Sequence, residues 1–233
     1  MKDILDQAHL SVAEVKRLNF IKDSRMYEFR KYYRSGLRSH IFEVVPVREL
    51  IRETKGEVRN GIRRFPKARP LKMFRIFRSR FKTKDDIFRE IKKYKLLLRY
   101  LGPRFIAQSE EFIADYRGEG VSRIVLCGLQ EFVAGRILDP WRLGPAPLET
   151  FYGHTGTNND GPARKAVLNI SEFISRVRQM IRSTGYIPDL AGIGNLILTP
   201  KGGLKLVDIN NIVEIRLDDI IRLDNRGLSF ITI

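Results

Sequence analysis

Two stretches of helical period, set between runs that alternate like strands, constrain this chain more than any other feature of its sequence. The first runs from Thr83, with Asp86 three residues on as its cap, through Ile87, Ile91, Tyr94, Leu98 and Leu101 on one face, and stops at Gly102-Pro103. The second has Asn169 and Glu172 as a capping box, an apolar face of Ile170, Phe173, Ile174, Val177, Met180 and Ile181, and Gly185 as its stop. Around them residues 40–47 (HIFEVVPV), 71–77 (LKMFRIF), 104–116 and 122–134 read as strands, and NLIL-TPKGG-LKLVD reads as a hairpin. In 71–77, Lys72, Phe74 and Ile76 share one face. Pro46 makes the strand at 40–47 an edge strand or a short one. The order of strands, helix, strands, helix and hairpin predicts an α+β fold in two lobes, joined near residues 130–136. Residues 1–38 read as a basic helical extension, with Ser11 and Glu14 a capping box, 39–134 as the first lobe and 135–233 as the second. Residues 48–69 have no assignable period, and 136–168 read as a long connection.

Charge is unevenly placed. The chain has 43 Lys and Arg against 27 Asp and Glu in 233 residues, a formal charge of +16. Up to Arg104 there are 29 basic and 12 acidic residues, and from Phe105 onward 14 and 15, so the excess lies wholly in the first part. A field of this kind concentrates anions, whether nucleic acid, anionic lipid or phosphorylated glycan. A hydrophobic content of 43% excludes a disordered chain. Cys127, the one cysteine, excludes a disulfide framework and a cysteine zinc cluster and suits a reducing compartment, so a cytoplasmic protein is expected. No run of about 18 uncharged apolar residues predicts a membrane span. His9, His40 and His154 stand apart, without metal-ligand spacing.

Three polar sets fall at spacings suited to phosphoryl transfer. Asp189 and Asn195 follow the second helix, Asp208 ends the hairpin 13 residues beyond Asn195, and Lys72 precedes Glu90 on the first helix by 18. A nucleoside triphosphate needs a divalent metal on hard oxygen ligands, a cation on its phosphates and a group to orient the attacking hydroxyl. Asn195 and Asp208 offer the oxygens, Lys72 the cation, Glu90 a carboxylate to orient it, and Asp189 a base. At about 100° per residue, Glu90 lies about 60° from the centre of the apolar stripe, where a carboxylate needs a partner such as Lys72. Each residue also has a plainer reading: turn-capping for Asp189, Asn195 and Asp208, a solvated Lys72, and a helix-surface pair of Glu90 with Lys93.

These residues resemble the protein-kinase-like phosphotransferase superfamily in its small, divergent bacterial form. PDLAGIGNLILTPKGGLKLVDIN is similar to the catalytic loop and metal-binding strand of that family, PLKMF to the strand of its phosphate-contacting lysine, FREI to the helix of the glutamate partner, and GLQEFVAG to the hinge. The resemblance covers roughly residues 40–215 and implies a bilobal fold, with a small strand-rich N-lobe and a truncated helical C-lobe, using ATP and Mg2+. It implies Asp189 as the catalytic aspartate, Asn195 and Asp208 as metal ligands, Lys72 with Glu90 on the phosphates, and the backbone of Glu131, Phe132 and Val133 on the adenine.

The sequence also departs from the family pattern. Ile187-Pro188 stands where many kinases carry His-Arg, the loop from Asp189 to Asn195 is one residue longer, and Asp208-Ile209-Asn210 replaces Asp-Phe-Gly. No glycine-rich loop precedes Lys72, the nearest glycines being Gly56 and Gly61. Only 25 residues follow Asp208, fewer than a protein kinase's activation segment and later helices occupy. Compact lipopolysaccharide-core sugar kinases, which act at the inner membrane face and carry basic surfaces, are the nearer analogy. The acceptor it implies is anionic: a phosphorylated glycan, a lipid headgroup or a protein. Three functions stay open: a Mg-ATP phosphotransferase, an inactive pseudokinase scaffold, and a nucleic-acid-binding protein acting through the basic half.

Overall fold

A computed structural model of the protein describes residues 3–22, 25–32, 38–118, 120–139, 152 and 161–215. The chain is α+β and divides into two compact units, Met1–Arg89 with Gln108–Phe132, and Glu90–Ala107 with Val133–Ile233. Among the described residues no helix is long and apolar enough to cross a membrane.

In the first unit come α1 (Val12–Lys16), β1 (Tyr27–Lys31), β2 (Ser39–Pro46), α2 (Val47–Lys55), β3 (Glu57–Arg59), β4 (Ile62–Arg64) and β5 (Lys72–Phe77). The start of α3 (Lys84–Leu101) follows, then β6 (Ser109–Gly118) and β7 (Val121–Glu131). Five strands form one antiparallel sheet in the order β1-β2-β5-β7-β6, while β3 and β4 form a separate hairpin. Alternation along β5 puts Phe74 and Ile76 into a core with Phe42, Val125 and Cys127, as the period-two reading expects. Each such side chain contributes about 1.5–3 kcal/mol on burial. Cys127 is wholly buried and burial pushes its thiol pKa up, which makes it an inert core residue.

Two expectations are corrected in this unit. Among the described residues of 1–38, α1 is a five-residue helix and Tyr27–Lys31 is a strand of the sheet, in place of the helical extension expected there. Ile4, Leu5, Leu10, Val15 and Leu18 bury against that sheet, so the amino-terminal segment is part of the core. The Ser11–Glu14 capping box is present, with Ser11 N–H donating to Glu14 Oε2 at 2.8 Å. β2 is an interior strand between β1 and β5, and Pro46 is tolerated because it stands at the strand's end and begins α2.

The second unit holds the rest of α3, then β8 (Arg136–Leu138), α4 (Pro162–Thr184), β9 (Tyr186–Pro188), β10 (Leu196–Leu198), β11 (Leu204–Leu206) and β12 (Ile212–Glu214). β8, β10 and β11 form a three-stranded sheet, and β9 pairs with β12. Tyr94, Leu97, Leu101, Phe105 and Ile106 pack with Phe173, Met180, Leu206 and Ile209, and for that reason the boundary expected at residue 134 alone gives way to three crossings of the chain, at 89/90, 107/108 and 132/133. α3 keeps its expected cap, Asp86 N–H donating to Thr83 Oγ1 at 3.2 Å.

α4 begins at Pro162, not at Asn169. Pro at the first turn starts the helix, and Asn169 lies inside it, 2% exposed, donating through Nδ2 to Gly202 O at 2.6 Å. The expected connection therefore shortens at both ends, β8 taking 136–138 and α4 starting at 162, and residues 140–151 and 153–160 lie outside the described residues.

Candidate functional site

α4 delivers the chain to the site. Gly185 caps it in the left-handed region, φ 70°, and turns the backbone into β9, whose Ile187 and Pro188 pair with Val213 and Ile212. The pairing runs one residue further, Asp189 N–H donating to Asn211 O at 2.9 Å. Asp189 thus begins its loop from a fixed backbone position.

Its carboxylate closes that loop. Oδ1 accepts from Ala191 N–H at 3.0 Å and Gly192 N–H at 3.2 Å, and Oδ2 accepts from Asn211 Nδ2 at 2.6 Å. This is the turn role of the plainer reading, and it leaves capacity: an ionised carboxylate has about four acceptor sites, of which three are taken.

Asn195 is the hub. Its N–H donates to Gly192 O at 3.1 Å, its Nδ2 donates to Asp189 O at 2.9 Å, and its carbonyl accepts from Val207 N–H at 2.8 Å. Gly192 makes room, since a Cβ there would lie 2.4 Å from Asn195 Nδ2. With Nδ2 committed, Asn195 Oδ1 takes no hydrogen bond from the described residues. Asp208, half-buried, follows Val207 directly, and Ile209, wholly buried in the core, fixes the backbone just past it. One carboxylate and one amide oxygen thus stand on adjoining backbone segments. They suit Mg2+, which takes few protein oxygens and keeps several of its waters. Among the described residues no three His, Cys, Asp or Glu side chains gather as a denser cation site.

The remaining expected site residues lie on other elements. Lys72 is in the first unit and pairs with Glu110 on β6 at 3.1 Å, with both side chains open to solvent. Glu90 is in the second unit and pairs with Lys93 at 3.2 Å, the plainer of its two readings. Each has a partner within its own unit. Glu131 faces Lys72 in the β5–β7 register, but its N–H donates to Gln108 O at 2.7 Å. Phe132 ends the first unit and Val133 opens the second, and their backbone groups hold no hydrogen bond among the described residues.

Asn211, Gly192 and Glu110 were not singled out by the sequence for these roles. Asn211 is tied to Asp189 by the β9–β12 register, and three-residue strands carry no legible period. The signal lay in Asn210-Asn211 standing just before the apolar pair Ile212-Val213. No protein-family model matches the sequence, and no curated protein matches it.

Proposed function

We propose that the chain is a Mg-ATP-dependent phosphotransferase of the bilobal protein-kinase-like fold, acting on a hydroxyl of an anionic acceptor. The observation that carries this is the Asn195 hub, which ties the Asp189 loop to the strand leading to Asp208 while its own Oδ1 stays free. The division into a unit with a five-stranded antiparallel sheet and a unit with α4, most of α3 and the β10–β11 hairpin supports the fold. Asn195 and Asp208 would hold Mg2+, whose charge offsets that of the phosphate oxygens. Asp189 orients the acceptor hydroxyl with its remaining acceptor site and takes the proton as the oxygen bonds to the γ-phosphorus and ADP leaves. Lys72 is the cation that the resemblance implies for the phosphates, and its exposed pair with Glu110 is worth about 0–1 kcal/mol. The open backbone groups of Phe132 and Val133 suit the adenine edge, whereas Glu131 N–H is already engaged. Glu90 pairs with Lys93 among the described residues, which is its helix-surface role. A cytoplasmic location goes with this reading.

Release of labelled γ-phosphate from Mg-ATP tests it. Turnover is expected to fall more than about 100-fold in Asp208→Ala, beyond the usual loss on removing an outer-shell group of a metal site. Unchanged turnover in that variant overturns the proposal. A pseudokinase is the second reading, favoured by the three hydrogen bonds already on the Asp189 carboxylate. It expects Mg-ATP binding without any turnover.

A further inference from the structure

The β3–β4 hairpin is the one place in the described residues where strands pair with each other and with nothing else while every side chain from Val58 to Phe65 is exposed. Asn60 and Gly61 form its turn, both at positive φ (51° and 74°), the type I′ geometry that Asn-Gly favours. A two-stranded hairpin alone is marginally stable in water, so its base has to be held. It is held twice. Arg52 pairs with Glu57 at 2.7 Å and Glu49 at 3.1 Å, which fixes the first strand to α2. Arg30 donates to Ala68 O at 3.0 Å and pairs with Glu43 and Glu53, while Glu53 also accepts from Ala68 N–H, which fixes the returning strand to the sheet.

The arm fastened in this way displays two kinds of side chain. Lys55, Arg63, Arg64, Lys67 and Arg69 are exposed cations with no acidic partner among the described residues. Between them Val58 (63% exposed), Ile62 (58%), Phe65 (61%) and Leu71 (54%) are open to water. In the register Val58 pairs with Arg63, and Arg59 with Ile62, so the apolar side chains point to both faces. An element apolar on both faces and cationic between them does not match a protein groove, which needs one apolar face. Three of the four apolar side chains are aliphatic and have no π-face for a base to stack on, which argues against single-stranded nucleic acid. A lipid headgroup layer takes apolar groups from every side and supplies phosphate to the cations around them.

We propose that residues 55–71 form an arm that docks the protein, tip first, on an anionic phospholipid surface. Phosphate groups would meet Lys55, Arg63, Arg64, Lys67 and Arg69, and Val58, Ile62 and Phe65 would enter the headgroup layer. This surface is independent of the nucleotide reading and stands if that reading fails.

The experiment is co-sedimentation of the full chain with vesicles of phosphatidylcholine alone and of an equal mixture of phosphatidylcholine and phosphatidylglycerol, across a salt series. Binding is expected only to the mixed vesicles and is expected to weaken with salt. Reversing two charges in Arg63→Glu/Arg64→Glu is expected to weaken it by about 100-fold or more. Val58→Ser/Ile62→Ser/Phe65→Ser, with every charge kept, is expected to weaken it by about tenfold or more. Because these side chains are exposed, both variants should keep the wild-type melting temperature. Absence of wild-type binding, equal binding to neutral vesicles, or binding that neither variant changes would each overturn the proposal. Binding to a DNA duplex or an RNA homopolymer that the charge variant loses and the apolar variant keeps would assign the arm to nucleic acid instead.

Discussion

Each unit has a polar cluster, and the two are built in opposite ways. In the first, Arg75 and Glu111 meet at 2.8 Å on either side of Gly128, with side chains 5% and 4% exposed. Ser109 Oγ accepts from the same guanidinium at 3.2 Å, and a Cβ on Gly128 would come within 3.0 Å of the carboxylate. The pair fills the space that a missing side chain leaves. In the second, Asp189, Asn195 and Asn211 are half-buried, held mostly by backbone groups, and Asn195 keeps an oxygen in reserve. A dry, closed cluster is shut off from a ligand and serves the fold. An open cluster of backbone-fixed side chains can lend some to a ligand. Changes in the first should therefore cost stability and spare nucleotide binding, and changes in the second should do the reverse.

The largest expected effect is from Glu111→Ala, which takes the carboxylate from a buried guanidinium. It should cost about 3–5 kcal/mol in denaturant unfolding, whereas replacing both partners, Arg75→Met with Glu111→Leu, should come close to neutral. If the single change cost under about 1 kcal/mol, the cluster would not be closed in the sense argued here. Gly128→Ala should cost about 1–3 kcal/mol, since the new Cβ crowds both Glu111 and Ser109 Oγ. Next comes Asn211→Ala, in the open cluster. It removes the donor to Asp189 but also a buried Oδ1 that has no partner, so the stability change should stay near 1 kcal/mol or below. Its mark should be a changed response to Mg-ATP.

The smallest effect is a pH dependence. His40 is buried with Nε2 against Ile4 O at 2.9 Å, and burial holds its pKa below the ordinary value. The unfolded chain then binds more protons than the folded one, so stability is full above about pH 6.5 and falls as the pH drops below that, levelling off beneath the folded pKa. Melting curves across that range should show the fall in wild type and a flatter profile in His40→Gln. A wild-type profile with no fall would mean that the first unit stays closed around a charged ring.

Local signals were legible in the sequence and long-range ones were not. The caps at Ser11 and Thr83, the stop at Gly185 and the β10–β11 hairpin depend on residues within a few positions of one another, and each is where the spacing puts it. Ile4, Leu5, Leu10, Val15 and Leu18 join a core with strands far along the chain, so their place in it had no local mark. Asn169 misled for a related reason. Its side chain matches a cap, yet it is engaged by Gly202 O, 33 residues away. In the site, Asp189, Asn195 and Asp208 were legible from type and spacing, while the links among them run through Gly192, Val207 and Asn211. Lys72 and Glu90 stood at a suggestive interval, but the partners each one has are a residue two strands away in the sheet and a residue one helical turn away.

Thermal unfolding of wild type and Asp208→Ala, with and without millimolar Mg-ATP, tests the site most directly. A ligand at about 100 times its dissociation constant adds about 2.7 kcal/mol, several degrees for a chain of this length. The expected result is a magnesium-dependent rise in wild type that Asp208→Ala lacks. An equal rise in both, or none in either, would contradict a nucleotide and metal site at Asn195 and Asp208.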